Sequence, residues 1–419
     1  MATAGLESLV EGDEAFLENL DGRLDTEESG YEGMGLGALE SGKSAVAAFG
    51  ALNPKPKAKW APLANHPDTQ HLAHHSIDLN NGLSFTFSGA VLRQALAVAS
   101  TPVGANWSRR VLFGIRAAAP KAVPREGAPP EFADTLQLME TEPDHLDYLC
   151  TMGVWDRDTD RVWVCPASTV PAIGYLWHAT HERDESRMGM GANMLPPGVY
   201  THVVGTHANG GGTRQPGAFR QASKYCVMRL ASPEIAFRAG NVRWDTASDA
   251  NGPAIWNNIH AGLVAGPKWL AKHYSAGCQV VKGSVSTAAT RDTPVGHWAG
   301  FRIAAGLAPK PEISAVGSNP KVVKTAEDGT AFTYVLLTAR EVRLASENMG
   351  TPPTDLKFFK LRRGSQGDTV RALQTALGLN ADGDFGYLTQ RALIEKQLAL
   401  GQAADGVVTS ANAAALGIA

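Results

Sequence analysis

Two side chains of this sequence have the types and spacing to make and break an acyl bond. His260, in Ile259-His260-Ala261, and Cys278, in Tyr274-Ser275-Ala276-Gly277-Cys278-Gln279-Val280, stand 18 positions apart. A thiol is mostly protonated near neutral pH, so a nucleophilic cysteine needs an imidazole to take its proton or stabilise its thiolate. Gly277 lets the backbone approach a bound carbonyl closely. The amides of Gly277 and Cys278 would then receive the oxyanion as it forms. The competing reading is a buried cysteine beside an unrelated histidine.

Such a pair needs a rigid frame, and the surrounding chain is β-rich. Val162-Trp163-Val164-Cys165, Val199 to Val204, Tyr225 to Leu230, Ile235 to Arg238 and Ala331 to Leu337 are short runs of β-branched and aromatic residues between turn signals. That pattern predicts a sandwich or partial barrel. Upstream, Leu83 to Ser88 alternates like a strand, Ala90 to Ala99 suits a helix, and residues 118–130 hold four prolines and read as a loop. His207-Ala208-Asn209-Gly210-Gly211-Gly212-Thr213-Arg214 reads as a hairpin loop or a mobile cover for a cleft, without phosphate-loop spacing.

His260, Ser275, Gly277 and Cys278, with the Ser-x-Gly-Cys ending, resemble the L,D-transpeptidase family of bacterial cell-wall enzymes. The segments Pro166 to Val170 and Asn193 to Tyr200 resemble that family's earlier strand and turn, so the resemblance covers roughly residues 145–305. The sequence departs from the family pattern at Ala261, at Ala276 and at Val280, where an arginine is usual. The resemblance implies that Cys278 attacks a peptide-stem carbonyl of peptidoglycan, that His260 handles the proton, and that the carbonyl of Ala261 orients the imidazole. With no arginine at position 280, Arg220, Lys282 and Arg214 are the replacement candidates for the substrate's carboxylate, in falling order. Trp256 joins them as a substrate-binding candidate.

The C-terminal residues carry a second signal. Val370, Leu373 and Leu377 recur at helical spacing after Asp368 and Thr369, either of which could cap a helix. Ala381-Asp382-Gly383 through Leu393 is then echoed by Ala404-Asp405-Gly406 through Leu416, at an offset of 23. Each copy reads as an Asp-Gly turn followed by a short helix. The unit resembles a three-helix peptidoglycan-binding domain, with Gln374, Asp382, Phe385 and Asp405 as its marker positions.

Composition narrows the alternatives. A net charge of −3 offers no basic face for nucleic acid, and no window approaches the ~20 apolar residues of a membrane helix. Residues 1–40 carry eleven acidic side chains against Arg23 alone, unlike a signal peptide. An enzyme of the cell envelope with this N-terminus would be delivered by lysis, by a phage particle or by an injection machine. Three of the four cysteines, Cys150, Cys165 and Cys226, remain beside Cys278 and predict a reduced chain. His178, His181 and Glu182 lack a zinc-protease spacing, and His71, His74 and His75 lie in a polar stretch. No metal and no cofactor is expected.

The sequence thus predicts a multidomain protein: an acidic arm and basic linker (1–60), a small N-terminal region (61–144), a β-rich L,D-transpeptidase-like catalytic domain (145–346), and a three-helix peptidoglycan-binding domain (357–419). The expected partner is peptidoglycan, with no nucleic acid and no membrane, and the arm is free to dock a further protein. The alternative is a wall-binding structural protein that keeps the catalytic architecture without the activity.

Overall fold

A computed structural model describes residues 84–141, 145, 147–172, 175–176, 192–208, 214–222, 224–231, 242–245, 257–262, 273, 275–285, 294–316, 323–353, 356, 360–402, 404–409 and 412–418. The acidic arm, Ile235 to Arg238, Trp256 and the two upstream histidine groups lie outside the described residues.

Eight strands close into a barrel. In chain order they are β1 (Arg110–Arg116), β2 (Cys150–Asp156), β3 (Arg161–Ser168), β4 (Gly198–Ala208), β5 (Arg214–Gln221), β6 (Ile259–Ala261), β7 (Gln279–Val281) and β8 (Ala331–Thr338). Around the barrel the order is β6-β7-β3-β2-β1-β8-β4-β5, and β5 returns to β6. Two pairs, β6 with β7 and β8 with β1, are parallel; the others are antiparallel.

The period-two alternation of the strands builds two cores, one on each face of the wall. Leu112, Met152, Val154, Cys165, Ala167, Tyr200, Val204, Phe219, Ile259, Ala261, Val281, Tyr334 and Leu336 turn inward. They meet Trp298 and Phe301 of helix α2 (His297–Ala304), which fills the barrel. Phe219 is the hub, with edge-on ring contacts to Trp298, Phe301 and Phe332. The opposite faces of β1, β2, β3 and β8 present Val111, Phe113, Ile115, Trp155, Val162, Val164, Val335 and Leu337. These are covered by helices α1 (Gly89–Val98) and α3 (Ala339–Glu347) and by Phe85 and Phe87. A wall buried on both faces explains why β2 is apolar almost throughout.

This layering moves one expected boundary. The strand β1 sits between β2 and β8, and α1 packs on α3. The barrel unit therefore includes residues from 84 onward, and position 145 falls inside it. The proline-rich stretch contributes a short strand, Ala118–Pro120, paired with Leu136–Glu140.

The C-terminal residues form two helices, α4 (Asp368–Ala376) and α5 (Tyr387–Ala399), and the strand pair Lys360–Leu361 with Val408–Thr409. In place of a third α-helix there is a single 3-10 turn, Ala414–Leu416. Gly367 occupies the N-cap of α4, so neither Asp368 nor Thr369 caps it. Leu361, Val370, Leu373, Phe385, Leu393, Val408, Leu416 and Ile418 make a separate core.

The sequence echo is a hydrogen-bond echo. Gln374 accepts from the Gly383 amide at 2.8 Å and donates to Asp382 at 2.6 Å and to the Asp384 carbonyl at 3.0 Å. Gln397 repeats this with the Gly406 amide, Asp405 and the Val407 carbonyl, each at 3.0 Å. Both turn glycines have positive φ, +86° at Gly383 and +68° at Gly406, which is why the turn needs glycine.

This unit is seated on the barrel. Arg362 is 1% exposed and donates to Glu341 of α3 at 2.9 Å. Arg363 donates to the Val199 carbonyl at 3.1 Å and lies over the Tyr200 ring.

Candidate active site

β6 and β7 run parallel, with His260 opposite Val280. Cys278 immediately precedes β7, two residues before Val280 and therefore on the same face. Ile259 and Ala261 point into the barrel core, so alternation turns His260 to the outer face of the wall. Cys278 joins it there with Val280 and Tyr148. Register alone thus makes the histidine and the cysteine diagonal neighbours. A third residue joins them: His207, near the end of β4, stacks on His260 with ring centroids 4.1 Å apart and planes 8° from parallel. One ring nitrogen of each histidine and Sγ of Cys278 all lie within 4.8 Å of one another.

The hydrogen bonds assign the protons. Nδ1 of His260 lies 2.7 Å from the carbonyl oxygen of Ala261, an acceptor, so Nδ1 carries the hydrogen and Nε2 keeps its lone pair. Gln215 braces this arrangement. Its Oε1 accepts the Ala261 amide at 3.1 Å and its Nε2 donates to the Ala261 carbonyl at 3.5 Å, which fixes the peptide that orients His260; the 3.3 Å approach of Nε2 to the Nδ1–H is not itself a hydrogen bond. His207 has the other tautomer. The Gln221 amide donates to Asn258 Oδ1 at 3.0 Å, which turns Asn258 Nδ2 toward His207 Nδ1 at 3.1 Å. Nδ1 of His207 is therefore an acceptor, and the hydrogen sits on Nε2.

Both rings are uncharged near neutral pH. Burial lowers His260 to about 4, partly opposed by its bond to the Ala261 carbonyl. Burial also pushes His207 well below its ordinary value, helped by His260 and by the charge of Arg220.

The loop before Cys278 is held from within. Ser275 Oγ accepts the Gly277 amide at 3.0 Å and donates to the Cys278 carbonyl at 2.6 Å. Asn193 donates its amide to the Ala276 carbonyl at 2.8 Å. A Cβ at position 277 would lie 2.4 Å from Asn193 Oδ1, so glycine is required by close approach. One expectation changes here: the Gly277 amide is engaged by Ser275 and does not stand open as an oxyanion donor.

Tyr148 and His273 complete the surroundings, with rings 5.4 Å apart. Among the described residues, the Tyr148 hydroxyl and both nitrogens of His273 are buried without a hydrogen-bond partner. Burial holds His273 near 4 and raises Tyr148, so both are neutral.

The replacement cations separate. Arg220 is half-buried, packs its side chain against Gly205, and reaches His207 electrostatically. Lys282 instead pairs with Glu126 at 3.2 Å. Arg214 opens β5 opposite Ala208. Gln374 and Phe385 are 2% exposed and hold their own unit together, as does Asp405 through Gln397. Asp382 does the same through Gln374 while lying exposed at its turn.

Two imidazoles and a thiol are also a ligand set for a soft divalent ion such as zinc. A metal-binding histidine donates its remote N–H to an acceptor. His260 meets that condition; His207 does not, because Asn258 donates to its remote nitrogen. The set fits a base and a donor around a nucleophile better than a metal.

No family model, no curated protein and no solved structure matches this chain. The site is therefore read from its own geometry. Sequence reasoning left out His207, Gln215, Asn258, Tyr148 and His273. The one available signal was that His207 and Gln215 flank the glycine-rich segment, which is where a β4–β5 hairpin brings two ends together.

Proposed function

We propose that this chain is a cysteine-dependent acyl-transfer enzyme of the L,D-transpeptidase type, acting on peptide stems of bacterial peptidoglycan. The observation that carries the reading is the proton arrangement at the wall. The backbone carbonyl of Ala261 fixes His260 Nδ1–H, and Nε2 is left as a base in the neighbourhood of the Cys278 thiol.

In the reaction, His260 Nε2 takes the thiol proton as Sγ attacks the carbonyl carbon of the stem. The imidazolium then passes that proton to the departing amine as the C–N bond breaks, leaving a thioacyl enzyme. A second stem's amine gives a cross-link; water gives a trimmed stem. A backbone carbonyl takes the place of the third side chain that orients a catalytic histidine in a triad. Arg220 is the cation for the substrate carboxylate, since an unpaired charge is costly to bury. The C-terminal unit is the peptidoglycan anchor, and the site of action is the bacterial cell envelope.

The test is mass spectrometry of muropeptides after incubation with intact sacculi. The wild-type chain is expected to release terminal residues from stems or to form new cross-links. The Cys278→Ala chain is expected to do neither. Unchanged muropeptides with the wild type would overturn the reading, and would favour a wall-binding protein without activity.

A further inference from the structure

We propose that His207 is a catalytic residue: its Nε2–H is the side-chain donor that stabilises the oxyanion formed when Cys278 attacks a carbonyl. The inference rests on the acyl-transfer reading of the Cys278 site and assigns a role that the sequence motif does not contain.

Four observations converge. His207 is in place, stacked on His260 at 4.1 Å and grouped with Cys278 within 4.8 Å. Its proton is in place: the chain from the Gln221 amide through Asn258 to His207 Nδ1 leaves the hydrogen on Nε2. That Nε2–H makes no hydrogen bond among the described residues, although the ring is only 5% exposed. Finally, of the two amides expected to receive the oxyanion, those of Gly277 and Cys278, the first is engaged by Ser275 at 3.0 Å, which leaves room for a side-chain donor beside the second.

The chemistry favours a neutral ring here. During attack the S–H proton moves to His260 Nε2, the S–C bond forms, and the carbonyl π pair moves onto oxygen. His260 is then cationic, and a second cation stacked face to face on it would be repelled. A neutral imidazole still donates through N–H without that repulsion. Arg220, close enough to bias the ring further toward the neutral form, supports this state. When the intermediate collapses, the electron pair returns to the carbonyl, the leaving-group bond breaks, and His207 keeps its proton throughout. A fixed donor of this kind requires no reorganisation as charge develops.

The experiment compares two reactions of Cys278 in the full-length chain. Acylation by p-nitrophenyl acetate passes through a tetrahedral oxyanion. Alkylation by iodoacetamide displaces iodide at a saturated carbon and forms no oxyanion. His207→Phe keeps an aromatic ring for stacking but removes the donor. It is expected to slow the acylation burst by about 100-fold while alkylation stays within about three-fold, since the thiol and its base are untouched. His207→Gln restores an N–H and is expected to recover at least about ten-fold of that loss.

Acylation unchanged in His207→Phe would overturn the proposal. So would acylation and alkylation falling together, which would make His207 a positioning residue for His260. If the phenylalanine variant does not fold, the near-isosteric pair His207→Gln and His207→Met reads the same difference. The ester reports on any nucleophilic cysteine whatever its natural substrate. Intact bursts with unchanged sacculi would therefore overturn only the peptidoglycan reading, whereas no burst in the wild type would overturn both.

Discussion

The barrel wall and the C-terminal unit solve the same problem, placing a few polar groups in fixed relation, by opposite routes. In the C-terminal unit each glutamine meets its Asp-Gly turn eight or nine residues further along the chain, and the second copy repeats the first. On the wall, His207 stacks on His260, 53 positions further along the chain, and meets Asn258, 51 positions further. His260 meets Cys278 only because β6 and β7 lie parallel. Local hydrogen bonds are specified by spacing along the sequence. The wall site exists only after an eight-stranded sheet has closed, which involves the costly ordering of distant segments. Functional groups on such a frame are held rigidly, at the cost of burying polar atoms.

The comparison breaks most sharply at Cys278. Cys278→Ala is expected to lower thioacyl formation by at least about 10³-fold while leaving the circular dichroism spectrum and the C-terminal unit unchanged. A burst of undiminished size from this variant, read by stopped-flow with the nitrophenyl ester, would remove the wall site from the chemistry.

Acid separates the two regions next. His202, His260 and His273 are each lowered from 6.5 to about 4 by burial, and burial also holds His207 well below its ordinary value. Above the unfolded-state value, near 6.5, neither state holds the proton and no stability is lost. As pH falls from 6.5 toward 4 the unfolded chain protonates first, so the barrel loses stability, with a limiting slope of about 1.4 kcal/mol per pH unit for each histidine. Residues 357–419 contain no histidine. Hydrogen exchange at pH 7 and at pH 5 should show protection falling first in β4, β6 and β7, with α4 and α5 affected less. Equal loss in both regions would show that their stabilities are not separable.

The repeat offers a finer test. Gln374→Leu and Gln397→Leu each strand a buried amide, at Gly383 or at Gly406, and each should cost about 1–3 kcal/mol by urea denaturation. Near-equal costs would confirm that the two copies are energetically equivalent; a cost at only one would leave the echo as a sequence relic.

The smallest effect has the opposite sign. Tyr148→Phe removes a buried hydroxyl that has no partner among the described residues, and is expected to stabilise the chain by about 1 kcal/mol. A destabilised variant would mean that the hydroxyl is satisfied in solution.

The spacing of His260 and Cys278, the glycine before the thiol, the strands Val162 to Cys165, Val199 to Val204 and Ala331 to Leu337, and the repeat at an offset of 23 were legible in the sequence. Each is a local pattern: a period of two, a turn glycine, a helical spacing. Tertiary structure decided what depends on register and closure. It brought β1 into the barrel across the boundary expected at residue 145. It paired Lys282 with Glu126 and left Arg220 beside His207. It spent the Gly277 amide on Ser275, and it placed His207 over His260. Spacing along a chain fixes which face of a strand a side chain takes, but not which strand lies next to it. That second choice comes from burying the two faces of one closed sheet, and it is the choice that assembles this site.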